Sequence, residues 1–151
     1  MLTFSAYAAS ELNGNAPTSI SYIYTHHEHN ADGVDVYFEL GDNNGTYATS
    51  DGMLNVKVTM PDNNPYLPRI HLFEANYTVA KSDFTQTKVR VGPITQDIII
   101  YNIGRIAYSS MKPDPNSLMY GDTVPMGTVN IRFTLPNGQV LKGKETFVIF
   151  S

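Results

Sequence analysis

Three stretches of the chain change from apolar to polar at every residue. Val34, Val36, Phe38 and Leu40 are interleaved with Asp35, Tyr37 and Glu39. Leu54, Val56, Val58 and Met60 are interleaved with Asn55, Lys57 and Thr59, and Val129, Ile131, Phe133 and Leu135 with Asn130, Arg132 and Thr134. Only an extended backbone sends successive side chains to opposite faces, so each stretch predicts a strand with one dry and one wet side. On a helix the same pattern would scatter apolar groups around the whole circumference. One wet face is the mark of antiparallel sheets. A fourth stretch reads the same way: Ile20, Tyr22 and Tyr24 alternate with Ser19, Ser21 and Ile23, which sets Tyr22 and Tyr24 on the packed side.

Turn residues separate these runs. Gly41-Asp42-Asn43-Asn44-Gly45 follows the second strand, Asp51-Gly52 opens the third, and Pro61-Asp62-Asn63-Asn64-Pro65 closes it. Asn137-Gly138 between two apolar runs predicts a hairpin with a type I′ turn, residues 128–135 against 139–150. Gly143 inside the second arm marks a bulge or bend. Further strands are expected at residues 69–73, 87–91 and 97–103. Residues 80–84 have room for one helical turn with Ser82 as its cap, and residues 110–125 read as an ordered loop. No stretch of ten residues carries an amphipathic helical stripe. The expected fold is all-β, a two-layer antiparallel β-sandwich of about seven to nine strands with no long helix. Residues 17–151 read as a single sandwich domain, and residues 1–16 as an N-terminal extension or a first strand.

Composition narrows the function classes. No Cys is present, which removes disulfides, thiolate metal sites and cysteine nucleophiles together. Ten basic against fourteen acidic residues, with a net charge of −4, argue against a nucleic-acid partner. No basic stretch is denser than Lys142-Gly143-Lys144, too thin for a phosphate backbone. No apolar run is longer than the four residues of Ile98-Ile99-Ile100-Tyr101, a strand-length piece, so no membrane insertion by a helix is expected. Residues 1–10 lack the basic flank and apolar core of a signal peptide. The expectation is either a natural start at Met1 or a start after a removed leader.

The stretch Val34-Asp35-Val36-Tyr37-Phe38-Glu39-Leu40, the turn Asp42-Asn43-Asn44-Gly45, the approach Thr49-Ser50-Asp51-Gly52 and the strand Leu54-Asn55-Val56-Lys57-Val58 form a recognisable series. With the closing Gly127–Gly138 and Thr146-Phe147-Val148-Ile149-Phe150, it resembles immunoglobulin-like β-sandwich modules of bacterial and archaeal surface proteins. The resemblance spans residues 20–150 and rests on turns and strand ends. The Cys pair and core Trp of antibody domains are absent. It implies an extracellular or cell-surface location; a viral particle is the alternative that a natural start at Met1 without a signal would suit.

Candidate sites are few. Thr25-His26-His27-Glu28-His29-Asn30 is the sharpest cluster. On an extended strand His27 and His29 share a face and can supply two imidazoles for Zn or Cu, with a third ligand from elsewhere, His71 if its strand pairs nearby. The plain alternative is a solvated strand end. Asp42, Asn44 and Asp51 offer oxygens for Ca²⁺, yet their spacing fails the EF-hand pattern. The alternative there is a turn in which the side chains bond local backbone. No catalytic motif is found: Glu39 is expected to face solvent, and nothing sets it near Glu74 as a carboxylate pair. Among the ten tyrosines, Tyr22, Tyr24 and Tyr101 are expected in packing, and Tyr37, Tyr47 and Tyr66 are candidates for an interface.

The leading expectation is a non-enzymatic structural or adhesive module that meets a protein partner or its own copies by strand addition. Residues 2–10 alternate as a donor strand would, or as the first strand of the chain's own sandwich. A metal- or ligand-binding sandwich and a viral particle subunit are the other two readings.

Overall fold

The computed structural model describes residues 2–4, 16–28, 31–60, 69–115 and 126–150. These form eleven strands: β1 (Leu2–Phe4), β2 (Ser19–His26), β3 (Gly33–Gly41), β4 (Tyr47–Ala48), β5 (Gly52–Met60), β6 (Ile70–Val79), β7 (Thr85–Val91), β8 (Ile94–Ala107), β9 (Met126–Thr134), β10 (Val140–Lys142) and β11 (Thr146–Ile149). One sheet runs β1-β7-β8-β3-β2, with β4 also on β3. The other runs β10-β9-β5-β6, with β11 also on β9. Every pairing is antiparallel. The orders β2-β3-β8-β7 and β10/β11-β9-β5 are those of an immunoglobulin-like sandwich, and β6 is a further strand beside β5. Eleven exceeds the expected seven to nine because β1 and β4 are short edge pieces and one arm is split into β10 and β11.

The alternating runs supply the core as their period requires. Val34, Val36, Phe38 and Leu40 of β3, Leu54, Val56 and Val58 of β5, and Val129, Ile131 and Phe133 of β9 are buried. Burying each such side chain stabilises the fold by roughly 1.5–3 kcal/mol. Phe38 sits at the centre, its ring 6.1 Å from Phe84, 5.6 Å from Tyr101 and 5.8 Å from Phe133. Tyr101 packs here, as the sequence predicts. Two buried hydroxyls, Thr59 and Thr128, bond each other at 2.9 Å. Arg69 donates to Thr128 and pairs with Glu145. At the end of the β3–β8 ladder, Arg105 donates to Asp32 and to both oxygens of Asp35.

β2 departs from its period. Its register on β3 shifts between Ile20 and Tyr22, so Ser21 is an extra residue in the strand. Ile20 and Ile23 face the core at 8% and 5% exposure, while Tyr22 and Tyr24 turn outward. Uninterrupted alternation would have buried the tyrosines instead.

The last hairpin has a different turn from the one expected. Gly138 N–H donates to Leu135 O at 2.9 Å and Leu135 N–H to Gln139 O at 2.8 Å. Pro136 and Asn137 are thus the central residues of an ordinary turn, and Gly138 follows at φ +91°. In the expected type I′ turn Asn137 and Gly138 would be central and Pro136 would have to donate an N–H to Gln139 O, which proline lacks; Leu135 makes that bond instead. Gly143 does interrupt the second arm, as its position predicts. A Cβ there would lie 2.5 Å from Ile23 Cδ1, so the missing side chain lets β2 close against the other sheet.

The expected helical turn is the 3₁₀ turn Lys81–Asp83. Ser82 is not its cap: Asp83 accepts the Ala80 N–H at 2.8 Å and Asp51 accepts the Lys81 N–H at 2.7 Å. A second 3₁₀ turn, Tyr108–Ser110, opens the expected loop; residues 116–125 lie outside the described residues.

Candidate functional site

Both sheets end beside one another at β2 and at β10/β11. Among the described residues β2 pairs only with β3, which leaves its outer side without a ladder partner there. Ile20–Ile23 and Lys144–Phe147 line a groove of about 400 Å³ between these edges. Thr25 Oγ1 donates to Phe147 O at 3.3 Å across it. Tyr22 and Phe147 on its walls are 57% and 68% exposed, and Ile149 and Met126 extend the apolar surface. Unpaired strand edges with exposed apolar neighbours are the usual place for another chain to add.

The outer face of the first sheet holds an aromatic row. Tyr22 and Tyr24 lie 4.4 Å apart at their ring centres, and Tyr24 stacks on Tyr37 at 4.9 Å. The Tyr24 hydroxyl donates to Glu39 Oε2 at 3.2 Å. Glu39 was expected in solvent; it is on the outer face but only 8% exposed. Burial raises its carboxyl above the usual range, against the opposing hydrogen bonds of Ser21 and Tyr24. Burial and then the Glu39 charge push up the Tyr24 and Tyr47 phenols. Tyr47, placed by the two-residue β4, joins Glu39, Gln96, Ser19 and Ser21 around a hollow of about 340 Å³. Tyr37 and Tyr47 are therefore outer-face residues, and Tyr66 lies outside the described residues.

The metal candidates fare differently. β2 ends at His26, so His27 follows the strand rather than alternating within it. His26 Nε2 lies 3.7 Å from Glu28. His29 lies outside the described residues. His71 is corrected as a third ligand. It is on β6, at the far edge of the second sheet from the β10/β11 edge that borders β2. Asp42 is the hub of a turn: its Oδ1 accepts N–H groups of Asn44 at 2.8 Å and Thr46 at 2.9 Å. Asp51 is used on the 3₁₀ turn, and Asn44 is exposed. The described residues hold no group of three His, Cys, Asp or Glu suited to a metal. Glu39 and Glu74 belong to the outward faces of opposite sheets, with the core between them, so they form no carboxylate pair.

The alternation also fixes a feature that sequence spacing had left scattered. Asn55, Lys57, Glu74, Asn130, Arg132, Thr134 and Lys142 come from four strands, yet meet on the outer face of the second sheet around a trough of about 470 Å³. The signal was present as the polar half of each alternating run; strand order alone brings those halves together.

No protein-family model matches the chain, and no curated protein matches it. Among solved structures, the crystal structure of MtrC from Shewanella baltica OS185 is similar at 15% sequence identity and a TM-score of 0.43. The match covers 86% of this chain and 22% of that one. A likeness this loose carries no argument about fold or function.

Proposed function

We propose that the chain is a non-enzymatic structural module, on a cell surface, whose copies join by strand addition. The observation that supports this reading is the position of β1. Among the described residues it pairs only with β7, with Leu2 opposite Thr87 and Phe4 opposite Gln86. Its successor β2 is at the opposite edge of the same sheet. Four strand spacings, about 19 Å, separate them. The β1–β7 ladder is peripheral to the core, and the β7 edge of a second copy offers the same partners. Exchange of such an element between identical chains is a low-cost route to assembly. Among the described residues the groove at β2 and β11 is likewise an edge without a partner strand, a place for an extended segment to add.

Removal of residues 1–16 followed by a solution mass measurement tests the proposal. The full chain is expected to show multimers and the shortened chain a monomer with the same circular-dichroism spectrum. A full chain that stays monomeric, or a shortened chain that assembles unchanged, rejects it.

A further inference from the structure

The trough on the outer face of the second sheet carries an inference independent of strand addition. Its charged lining is Lys57, Arg132 and Lys142 against Glu74, an excess of positive charge on a chain whose net charge is −4. None of the three cations takes part in the ion pairs formed among the described residues. Glu74 is occupied within the sheet, where its Oε2 accepts a bond from Asn55 Nδ2 at 3.0 Å. Asn55 is opposite Arg132 on one side and Asn76 on the other, and Lys57 is opposite Asn130 and Glu74.

Arg132 and Lys142 are directly opposite each other in the β9–β10 ladder. Like charges in that position destabilise a sheet. Neither forms a contact ion pair with an acidic side chain of the described residues, and Glu74 feels the charge of Arg132 only at longer range, after its bond from Asn55 and the charge of Lys57. An external anion would complement both.

We propose that this trough binds an acidic polysaccharide, through Lys57, Arg132 and Lys142 on its carboxylate or sulfate groups and Asn55, Asn130 and Thr134 on its hydroxyls. Two features favour a glycan over an acidic peptide. β5 and β9 are hydrogen-bonded to neighbours on both sides, so the floor offers a peptide backbone no ladder to join. Amides and a hydroxyl also alternate with the cations across the strands, which suits a ligand rich in hydroxyls. The cations are spread by a strand spacing of about 4.8 Å and by two residues along a strand, about 6.8 Å, so they meet successive charges of a polymer.

Titration of the full chain at low ionic strength with polygalacturonate, heparin, neutral dextran and poly-L-glutamate tests this. Binding to polygalacturonate or heparin is expected, weakening as salt is added. The arm that binds distinguishes carboxylate from sulfate recognition. Arg132→Glu is expected to lose at least about tenfold in affinity. It is also expected to melt higher than the parent, because Lys142 then faces an opposite charge. Lys142→Gln, which leaves the β9 core strand untouched, is expected to lose affinity with its spectrum unchanged. Failure of both glycans to bind, equal or tighter binding of poly-L-glutamate, or unchanged affinity in Lys142→Gln overturns the proposal.

Discussion

Single residues carry two consequences that depend on their surroundings. Glu39 alternates with the core residues of β3 and so was readable as outward-facing, but its burial was not. Tyr24, whose hydroxyl bonds the carboxyl, and Tyr47, beside it in the same hollow, come from other strands, so the surroundings of Glu39 are set by tertiary structure. Its pKa is raised in the folded state, so the contribution it makes to stability is full below its unfolded value, about 4.3. That contribution is lost as pH rises through the folded value. Glu39→Gln is therefore expected to match the parent near pH 4 and to melt higher at neutral pH. Parallel melting curves from pH 4 to 8 would contradict this. Gly127 is the second case. A Cβ there would lie 2.6 Å from Thr59 O and from the Phe150 ring, and the backbone oxygen cannot move aside without disturbing the β5–β9 ladder. Gly127→Ala is expected to cost about 1–3 kcal/mol, measured by urea unfolding.

At the scale of elements, strand identity was legible and local irregularity was not. β3, β5 and β9 face as their alternation requires, because a one-residue slip would send a whole apolar set into water. β2 shows the limit of that logic. Its alternation is as regular as the others in sequence, yet the extra residue Ser21 divides it, because the tyrosines carry hydroxyls and the core takes Ile20 and Ile23 instead. Deleting Ser21 removes the extra residue and leaves Ile20 and Ile23 facing inward and Tyr22 and Tyr24 outward in unbroken alternation. The shortened strand is expected to lose less than about 1.5 kcal/mol, the lower bound for unburying one large aliphatic side chain, read from the urea midpoint. A larger loss would mean that the bulge itself, and not the facing it sets, stabilises β2. The final hairpin teaches the same point in reverse. Asn137-Gly138 was a sound turn signal, but Pro136 ahead of it fixes φ and selects a three-residue loop.

At the scale of the molecule, the proposed assembly has a signature beyond the truncation. If copies exchange β1, the folded state is linked to association, and the apparent melting temperature of the full chain is expected to rise with protein concentration. The shortened chain should melt at one temperature over the same range. A full chain whose melting is independent of concentration would separate the fold from any assembly at the concentrations tested.

The sequence by itself determined that this chain builds two antiparallel layers, since the side-chain period of a strand is a local property of the backbone. It also determined which half of the β3, β5 and β9 runs faces outward, though not of β2, where the extra residue Ser21 reverses the reading. Which strands become neighbours is a long-range matter, settled by closing loops of different length around a shared core. Hence only the tertiary structure set His71 an entire sheet away from His27, parted Glu39 from Glu74, buried Glu39 beneath tyrosines, and gathered Lys57, Arg132 and Lys142 into one trough.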